Sequence, residues 1–472
     1  MIRLLHAYFP KWTLVLWVSE AFLVSLGFLA ATIARLGVGD AALMFNYQHG
    51  SLKILVVSTA IVICMYYFNL YDLSILGNRR EMLIRMVQML GTVYGVFVLL
   101  YYFYPPLELG RGILVVGLFF VATLLVCWRN LFALMNNFTD FADRAVIFGE
   151  GSLAQLIQQE CASRPECGIR IVGSVLPVGN DRPDPNPDRY PSLRNLPQND
   201  GNDIILGALK TYRANRVVIA MSERRGKLPV ELLLGMKCRG VQVQDGVDVY
   251  EMITGKVPIE SVRLASLLFS SGCYASRFHL IYKRFASIVI SILGLLVSLP
   301  LLPFIVLAIK VTSAGPFLYR QERVGRDNVV FRCYKFRTMR ADAEADTGPT
   351  WALDDDPRIT RVGKFLRMAR LDEIPQLWNV MRGDMSLVGP RPERPEFVSD
   401  LTRTIPYYSL RHSVRPGITG WAQIRYRYGN SVEDAKEKLR YDLFYIKNMS
   451  VGLDILIFLN TIKVILLGTG AK

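Results

Sequence analysis

Four long apolar runs, about Leu14–Ala34, Leu52–Leu70, Met86–Tyr104 and Gly112–Trp128, dominate the N-terminal part of the chain. Each is close to the ~20 residues a helix needs to cross a bilayer, and in lipid only a helix or a closed barrel satisfies its own backbone. The pattern predicts a four-helix transmembrane domain over residues 1–135. Arg3 and Lys11 precede the first run, Arg79, Arg80 and Arg85 separate the second from the third, and Arg129 follows the fourth. The other two loops carry fewer cations, so both ends of this domain are expected on the cytoplasmic side. No small-residue cleavage signal accompanies the first run, which reads as an anchor. Glu20 inside it is read as structural, lying near an interface or bonding a neighbouring helix, rather than as functional.

From Arg144 the texture becomes α/β, predicting a second domain over residues 142–262. Ala145–Phe148, Ile169–Leu176, Arg216–Met221 and Val241–Gln244 read as strands and Pro177–Pro191 as a loop. Between the first strand and a helix stands Gly149-Glu150-Gly151-Ser152-Leu153-Ala154, a GxGxxA turn of the dinucleotide-binding kind. The acid that would hold a ribose about 20 residues later is missing, so the turn does not predict NAD binding. Seven cysteines, odd in number and without a CxxC pair, suggest neither a disulfide framework nor zinc. No tyrosine has a lysine four positions on, which removes a membrane-anchored nucleotide-sugar epimerase or dehydratase built on a Tyr-x-x-x-Lys pair.

The rest of the chain, residues 274–472, is expected to be an α+β catalytic domain. It holds 30 Lys+Arg against 19 Asp+Glu, a net +11 of the chain's +15, and so calls for anionic partners: a sugar-nucleotide diphosphate, a lipid phosphate or a membrane surface. No nucleic-acid motif accompanies the charge. An apolar run, Phe285–Ile309, is interrupted at Ser298-Leu299-Pro300 and Pro303. Pro300 removes a backbone hydrogen bond, and Ser298 can satisfy a freed carbonyl. Four spans return the chain to the cytoplasm and a fifth would carry the basic segment away from it. The run over about 279–310 is therefore expected to be a re-entrant helix, with Arg277, Lys283, Arg284 and Lys310 at the headgroups.

Beyond it, Tyr319–Met339 alternates around Gly325-Arg326-Asp327-Asn328, a hairpin pattern carrying Arg332, Lys335 and Arg337. Asp354, Asp355 and Asp356 suit either a cation or a turn before Pro357. A basic helix, Arg361–Arg370, leads into Arg367–Pro392, RMARLDEIPQLWNVMRGDMSLVGPRP. Pro375 is tolerated only in a first turn, so a helix is expected to start near Asp372, with Asp372 and Glu373 at its positive end and Gly383 as its stop. An acid pair there is more often a cap than a reactive pair. Gly389-Pro390-Arg391-Pro392 is a stiff turn that presents Arg391 to an anion. Ile455–Leu467 is short and broken by polar residues, suiting an interfacial helix.

LDEIPQLWNVMRGDMSLVGPRP, YKFRTM from Tyr334 and RPGITGWAQ from Arg415 resemble the bacterial sugar transferases, monotopic polyprenyl-phosphate glycosyl-1-phosphate transferases. RPERPEF from Arg391 and YDLFYIKNMS from Tyr441 look most like the exopolysaccharide subgroup associated with exosortase systems. The resemblance implies a protein of the bacterial inner membrane with its soluble domains cytoplasmic. It would transfer a sugar-1-phosphate, a hexose such as glucose or galactose, from a UDP-sugar to polyprenyl (undecaprenyl) phosphate and release UMP. It implies that Asp372 attacks the sugar-bearing phosphate to give an aspartyl-phosphosugar and that Glu373 holds Mg²⁺. Arg367, Arg391, Lys335, Arg337 and Arg415 would bind phosphate, with Asp442, Ser298 and Pro300 in support. Each of these arginines also suits a surface ion pair, and Asp442 a cap. Many relatives carry a small hydroxyl residue where this chain has Arg370. The long forms of the family resemble this chain in carrying a Rossmann-like domain before the catalytic one, read here as regulatory or as the contact of a possible homo-oligomer. The rival to an enzyme is a non-catalytic scaffold or regulator of polysaccharide assembly.

Overall fold

The computed structural model describes the chain except for residues 1, 5–6, 10, 48, 72–77, 137–142, 150, 165–166, 176–206, 208, 210–212, 222–227, 261–276, 341–342, 344–355, 427–428, 430 and 468–472. Strands β1 (Ile2–Leu4) and β2 (Ala7–Phe9) pair antiparallel ahead of four apolar helices. These are α1 (Lys11–Tyr47), α2 (Gly50–Tyr67), α3 (Arg79–Phe103) and α4 (Arg111–Asn136), each long and apolar enough to cross a membrane. Leu16, Phe28, Ile61, Met89 and Val121 meet inside the bundle, while Val18, Phe22, Leu99 and Phe119 face outward. An apolar outer face over an apolar core is what lipid as solvent asks for. Glu20 is fully buried and takes both Nε and Nη2 of Arg129, at 2.7 and 2.9 Å. Arg129, expected as a loop cation, therefore lies inside the bundle and ties α4 to α1, because a charge persists there only when paired.

An open parallel sheet follows, in the order β4–β3–β5–β6. It is built from β3 (Asp143–Phe148), helix α5 (Ser152–Ser163), β4 (Ile169–Val175), β5 (Arg216–Ile219), α6 (Val230–Cys238), β6 (Gln242–Asp245) and α7 (Gly246–Thr254). Strand β5 is buried along its whole length: Val217–Ile219 are apolar, and Arg216 is paired with Asp143 at 2.6 Å. Glu150, Pro177–Pro191, Asp354 and Asp355 fall outside the described residues.

The chain leaving α7 is embedded in the next domain. Val257 and Ile259 join the core formed by Val380, Leu387, Trp421 and Phe444. The Val257 amide donates to the Arg440 carbonyl at 3.1 Å, and Trp421 Nε1 donates to the Gly255 carbonyl at 2.9 Å. Lys447 meets the buried Glu251 at 2.9 Å, and Arg440 meets Glu260 at 2.5 Å.

Helix α8 (Arg277–Ser298) is a fifth helix of spanning length and stops at a break over Leu299–Leu301, resuming as the shorter apolar α9 (Leu302–Thr312). Pro300 sits in the break and Ser298 Oγ donates to the Leu295 carbonyl at 2.9 Å. Both arms pack on the domain that follows. Arg284 of α8 donates to the carbonyls of Val380 and Met381 at 2.5 and 2.8 Å, and Ile305 and Ile309 of α9 form a core with Phe336 and Leu366. Lys283 is turned inward to Tyr445 and Asp454. Lys283 and Arg284, expected at lipid headgroups, thus hold the helix to the protein, whereas Arg277 and Lys310 are exposed.

The last domain runs through β7 (Leu318–Val324), β8 (Val330–Phe336), α10 (Arg361–Met368), α11 (Gln376–Arg382), β9 (Ser386–Val388) and α12 (Pro395–Thr404). It ends with β10 (Gly417–Thr419), α13 (Trp421–Arg425), α14 (Val432–Lys447) and α15 (Val451–Leu467). Strands β7 and β8 form the expected hairpin, with Asp327 and Asn328 left-handed at its turn. Lys463 of α15 donates to the Tyr66 carbonyl at the end of α2 at 2.8 Å.

Truncating Ile259 should therefore injure the last domain although it precedes it: Ile259→Ala is expected to cost about 2–5 kcal/mol, read as lower thermal stability of the detergent-solubilised protein. An unchanged midpoint would show that the 255–260 segment is not part of that core.

Candidate active site

Two approaches of backbone to backbone bring the site together. Thr360 caps α10 by accepting from the Gly363 amide at 2.9 Å, and Gly363 lies so close to Thr338 that a Cβ there would stand 2.0 Å from its carbonyl oxygen. One turn on, Arg367 Nε donates to Thr338 Oγ1 at 2.9 Å. On the opposite side, β9 and β10 pair in parallel, and a Cβ on Gly417 would fall 2.1 Å from the Gly389 nitrogen. Only glycine lets the RPGITG loop lie flat on the Gly389–Pro392 turn.

Between them the chain passes through Arg370, left-handed with φ 55°, into a single 3₁₀ turn, Leu371–Glu373. Helix α11 starts only at Gln376, after Pro375, and ends at a left-handed Gly383. The acid pair thus stands in a tight turn ahead of the helix rather than in its first turn, because Pro375 has no N–H and fits best at the boundary. Asn379, fully buried, fastens α11 to β8. Its Oδ1 accepts from the Tyr334 amide at 3.1 Å and its Nδ2 donates to the Arg332 carbonyl at 2.7 Å.

Asp372 and Glu373 are both buried. Glu373 Oε1 receives Arg391 Nη2 at 2.8 Å, Lys335 Nζ at 3.4 Å and Arg370 Nη1 at 3.7 Å. Burial alone would raise the Glu373 pKa, but the charges of Arg391, Lys335 and Arg370 outweigh it and hold the carboxyl below its ordinary range. The pKa of Asp372 is raised, first by burial and then by the Glu373 charge, against the opposing pull of Lys335, Arg391 and Arg367. The pair is split: one carboxylate fixed and ionised, the other buried beside it and more basic than usual. Burial, reinforced by Arg391, lowers the Lys335 pKa.

Lys335, Arg391 and Arg367 converge on this turn. Arg337 does not reach Glu373 and is instead buried, its Nη2 donating to the Ser313 carbonyl and Oγ at 2.8 and 2.9 Å just past α9. It lies one residue past the end of β8, and its nearest use is bracing the end of α9. Arg415 is exposed at the foot of the β10 loop. Asp442 lies in the middle of α14, buried and paired with Arg411 at 2.9 Å, and so is no cap. Its pKa is pushed up to about 6 by burial, against the charge of Arg411. Asp356 is buried and engaged by Arg358 at 2.6 Å in the turn after Pro357. Arg370 and Arg411 were not picked out as site residues from the motifs: Arg370 reaches Glu373 through its left-handed backbone, and Arg411 meets Asp442 from 31 residues away, a pairing that no local pattern encodes.

Residues 278–468 match the bacterial sugar transferase family. An exopolysaccharide production protein of Rhizobium leguminosarum is 40% identical over 188 residues, covering 39% of this chain and 94% of that protein. The chain belongs to the bacterial sugar transferase family. A UDP-N-acetylgalactosamine-undecaprenyl-phosphate N-acetylgalactosaminephosphotransferase of Aeromonas hydrophila is 44% identical over 227 residues, 48% of this chain and 52% of that protein, so the match spans about half its length. A UDP-glucose:undecaprenyl-phosphate glucose-1-phosphate transferase of Xanthomonas campestris is 29% identical over 433 residues, 87% of this chain and 86% of that one. In this family member Asp372 and Glu373 stand within the matched region, together with every cation around them.

The split pair predicts the acid side of the pH–rate profile. If Asp372 is the nucleophile it must be ionised, and because its pKa is raised the rate should fall with acid above the ordinary aspartate range of about 4. Lys335→Met removes a cation that favours the ionised form, so the acid limb should move to higher pH. A limb that stays in place in Lys335→Met would separate Lys335 from Asp372.

Proposed function

We propose that the protein transfers a hexose-1-phosphate from a UDP-sugar to polyprenyl (undecaprenyl) phosphate and releases UMP, initiating exopolysaccharide synthesis. The observation that carries this reading is the buried Asp372–Glu373 pair with Arg391, Lys335 and Arg370 gathered on Glu373. A diphosphate entering the turn meets cations already in position, and a basic carboxylate next to them. Asp372 attacks the phosphorus bearing the sugar; its bond to the bridging oxygen breaks and that electron pair departs with UMP. A polyprenyl phosphate oxygen then attacks the same phosphorus, and Asp372 leaves as a free carboxylate. Arg391 and Lys335 stabilise the charge spread over the phosphoryl oxygens in both steps.

Among the described residues no group of three or more His, Cys, Asp or Glu forms a metal cluster. Mg²⁺ asks for less, one or two carboxylates completed by substrate phosphates and water, and the hard oxygens of Glu373 and Asp372 fit that requirement. Bound there by Glu373, it would offset the diphosphate charge.

The membrane reading follows from where the two arms of the broken helix end. Arg284 of α8 and Ile309 of α9 both pack on the catalytic domain, which supports a helix that enters the membrane and returns at Pro300 on the cytoplasmic side. The four preceding helices then make the transmembrane domain, and the parallel sheet, ordered β4–β3–β5–β6, stands outside the chemistry. A scaffold would have no use for an ionised Glu373 held buried by three cations.

Asp372→Asn keeps size and hydrogen bonding but removes the nucleophile, so UMP release should vanish while UDP-sugar binding survives. Glu373→Gln should weaken the Mg²⁺ dependence together with the rate. Normal turnover in Asp372→Asn would end this assignment. For topology, single cysteines at positions 277 and 320 in a background lacking the native ones should both resist an impermeant reagent added outside intact cells. Labelling at 320 alone would mean that the helix spans.

A further inference from the structure

The turn that carries Arg391 is held through four consecutive carbonyls. The Gly417 amide donates to Pro390 at 2.9 Å, Arg411 Nη2 to Arg391 at 2.9 Å, Arg323 Nη1 to Pro392 at 3.1 Å, and the Val324 amide to Glu393 at 2.9 Å. Arg411 is the only one of these donors that touches the backbone of Arg391 itself. It is buried, its Nη1 donates to the Tyr408 hydroxyl at 2.5 Å, its guanidinium lies 5.1 Å from the Tyr408 ring centre, and Asp442 stands 2.9 Å away as counter-charge. From that same residue the Arg391 side chain runs to Glu373 at 2.8 Å.

We propose that Arg411 is a positioning residue for the transfer: fixed by Asp442 and Tyr408, it sets the Arg391 carbonyl and thereby the approach of the Arg391 guanidinium to Glu373 and to the incoming phosphate. The inference rests on the transferase reading above. Arginine is needed because one planar fork must serve a carbonyl, a hydroxyl and a carboxylate at once, and a lysine ammonium offers no such fixed geometry. A buried carboxylate such as Asp442 is otherwise costly, and Arg411 pairs with it at 2.9 Å. The Tyr–Arg–Asp cluster is thus a rigid post standing behind the phosphate-binding turn.

A double-mutant cycle tests this, with Arg411→Lys, Arg391→Lys and the double variant compared by UMP release from UDP-sugar with polyprenyl phosphate as acceptor. Arg411→Lys should lower kcat/KM by about 10–100-fold, with kcat carrying most of the loss. If Arg411 acts through Arg391, the double variant should fall within about threefold of Arg391→Lys alone. Losses that multiply, and that track a fall in melting temperature, would make Arg411 a merely structural residue and overturn the proposal. Should Arg411→Lys fail to fold, Asp442→Asn replaces it in the cycle with the same criterion, since it frees Arg411 without removing it. Wild-type protein that releases no UMP refutes the transferase reading and this inference with it, whereas an active wild type with a multiplicative cycle refutes the positioning role alone.

Discussion

Glu373 is a charge taken out of water, and the catalytic domain is arranged around keeping it ionised. A buried carboxylate without partners takes up a proton, because desolvation outweighs any single distant cation. Here Arg391, Lys335 and Arg370 come from three places in the chain: the Gly-Pro-Arg-Pro turn, the second strand of the hairpin and the left-handed residue just before the pair. Each element therefore has to be fixed independently. Asn379 locks the hairpin to α11, Gly363 lets α10 press on Thr338, and Gly389 and Gly417 let two loops touch through their backbones. Removing one support leaves a buried charge undercompensated, so the site is expected to fail as a unit.

The same kind of bonding ties the domain to the broken apolar helix. Arg284 caps the C-terminal carbonyls of α11, the helix that follows the acid pair, from within the broken apolar helix. Ser287 of that helix lies 3.3 Å from Ser386 of β9, at the start of the strand leading to the turn that carries Arg391. The apolar helix is thus bonded to both sides of the site.

Much of this could be read in advance because it is local. Apolar runs of spanning length, alternating strands, the Asp327-Asn328 turn and the Gly383 stop each rest on nearest neighbours in sequence, and the structure has them where they were expected. What escaped depends on partners far apart. Arg129 reads as a loop cation until Glu20, 109 residues away, is seen beside it. Arg337 shares a motif with Lys335, and alternation alone would leave the two on one face, yet the end of α9 engages Arg337 through Ser313. Val257 and Ile259 look like the tail of the α/β domain, and only the packing shows them inside the next one. The acid pair stands a turn ahead of the helix expected to begin at Asp372, since Pro375 marks the boundary of α11 rather than a position within its first turn.

The central claim is that Asp372 itself becomes phosphorylated by the donor. Protein incubated with UDP-sugar and Mg²⁺ in the complete absence of polyprenyl phosphate measures this directly, by UMP released per protein and by the mass of the peptide containing Asp372. The account predicts a single burst approaching one UMP per active protein, with a hexose-phosphate added to that peptide and lost when acceptor is supplied. No UMP before acceptor is added, or an adduct on any other residue, would contradict it.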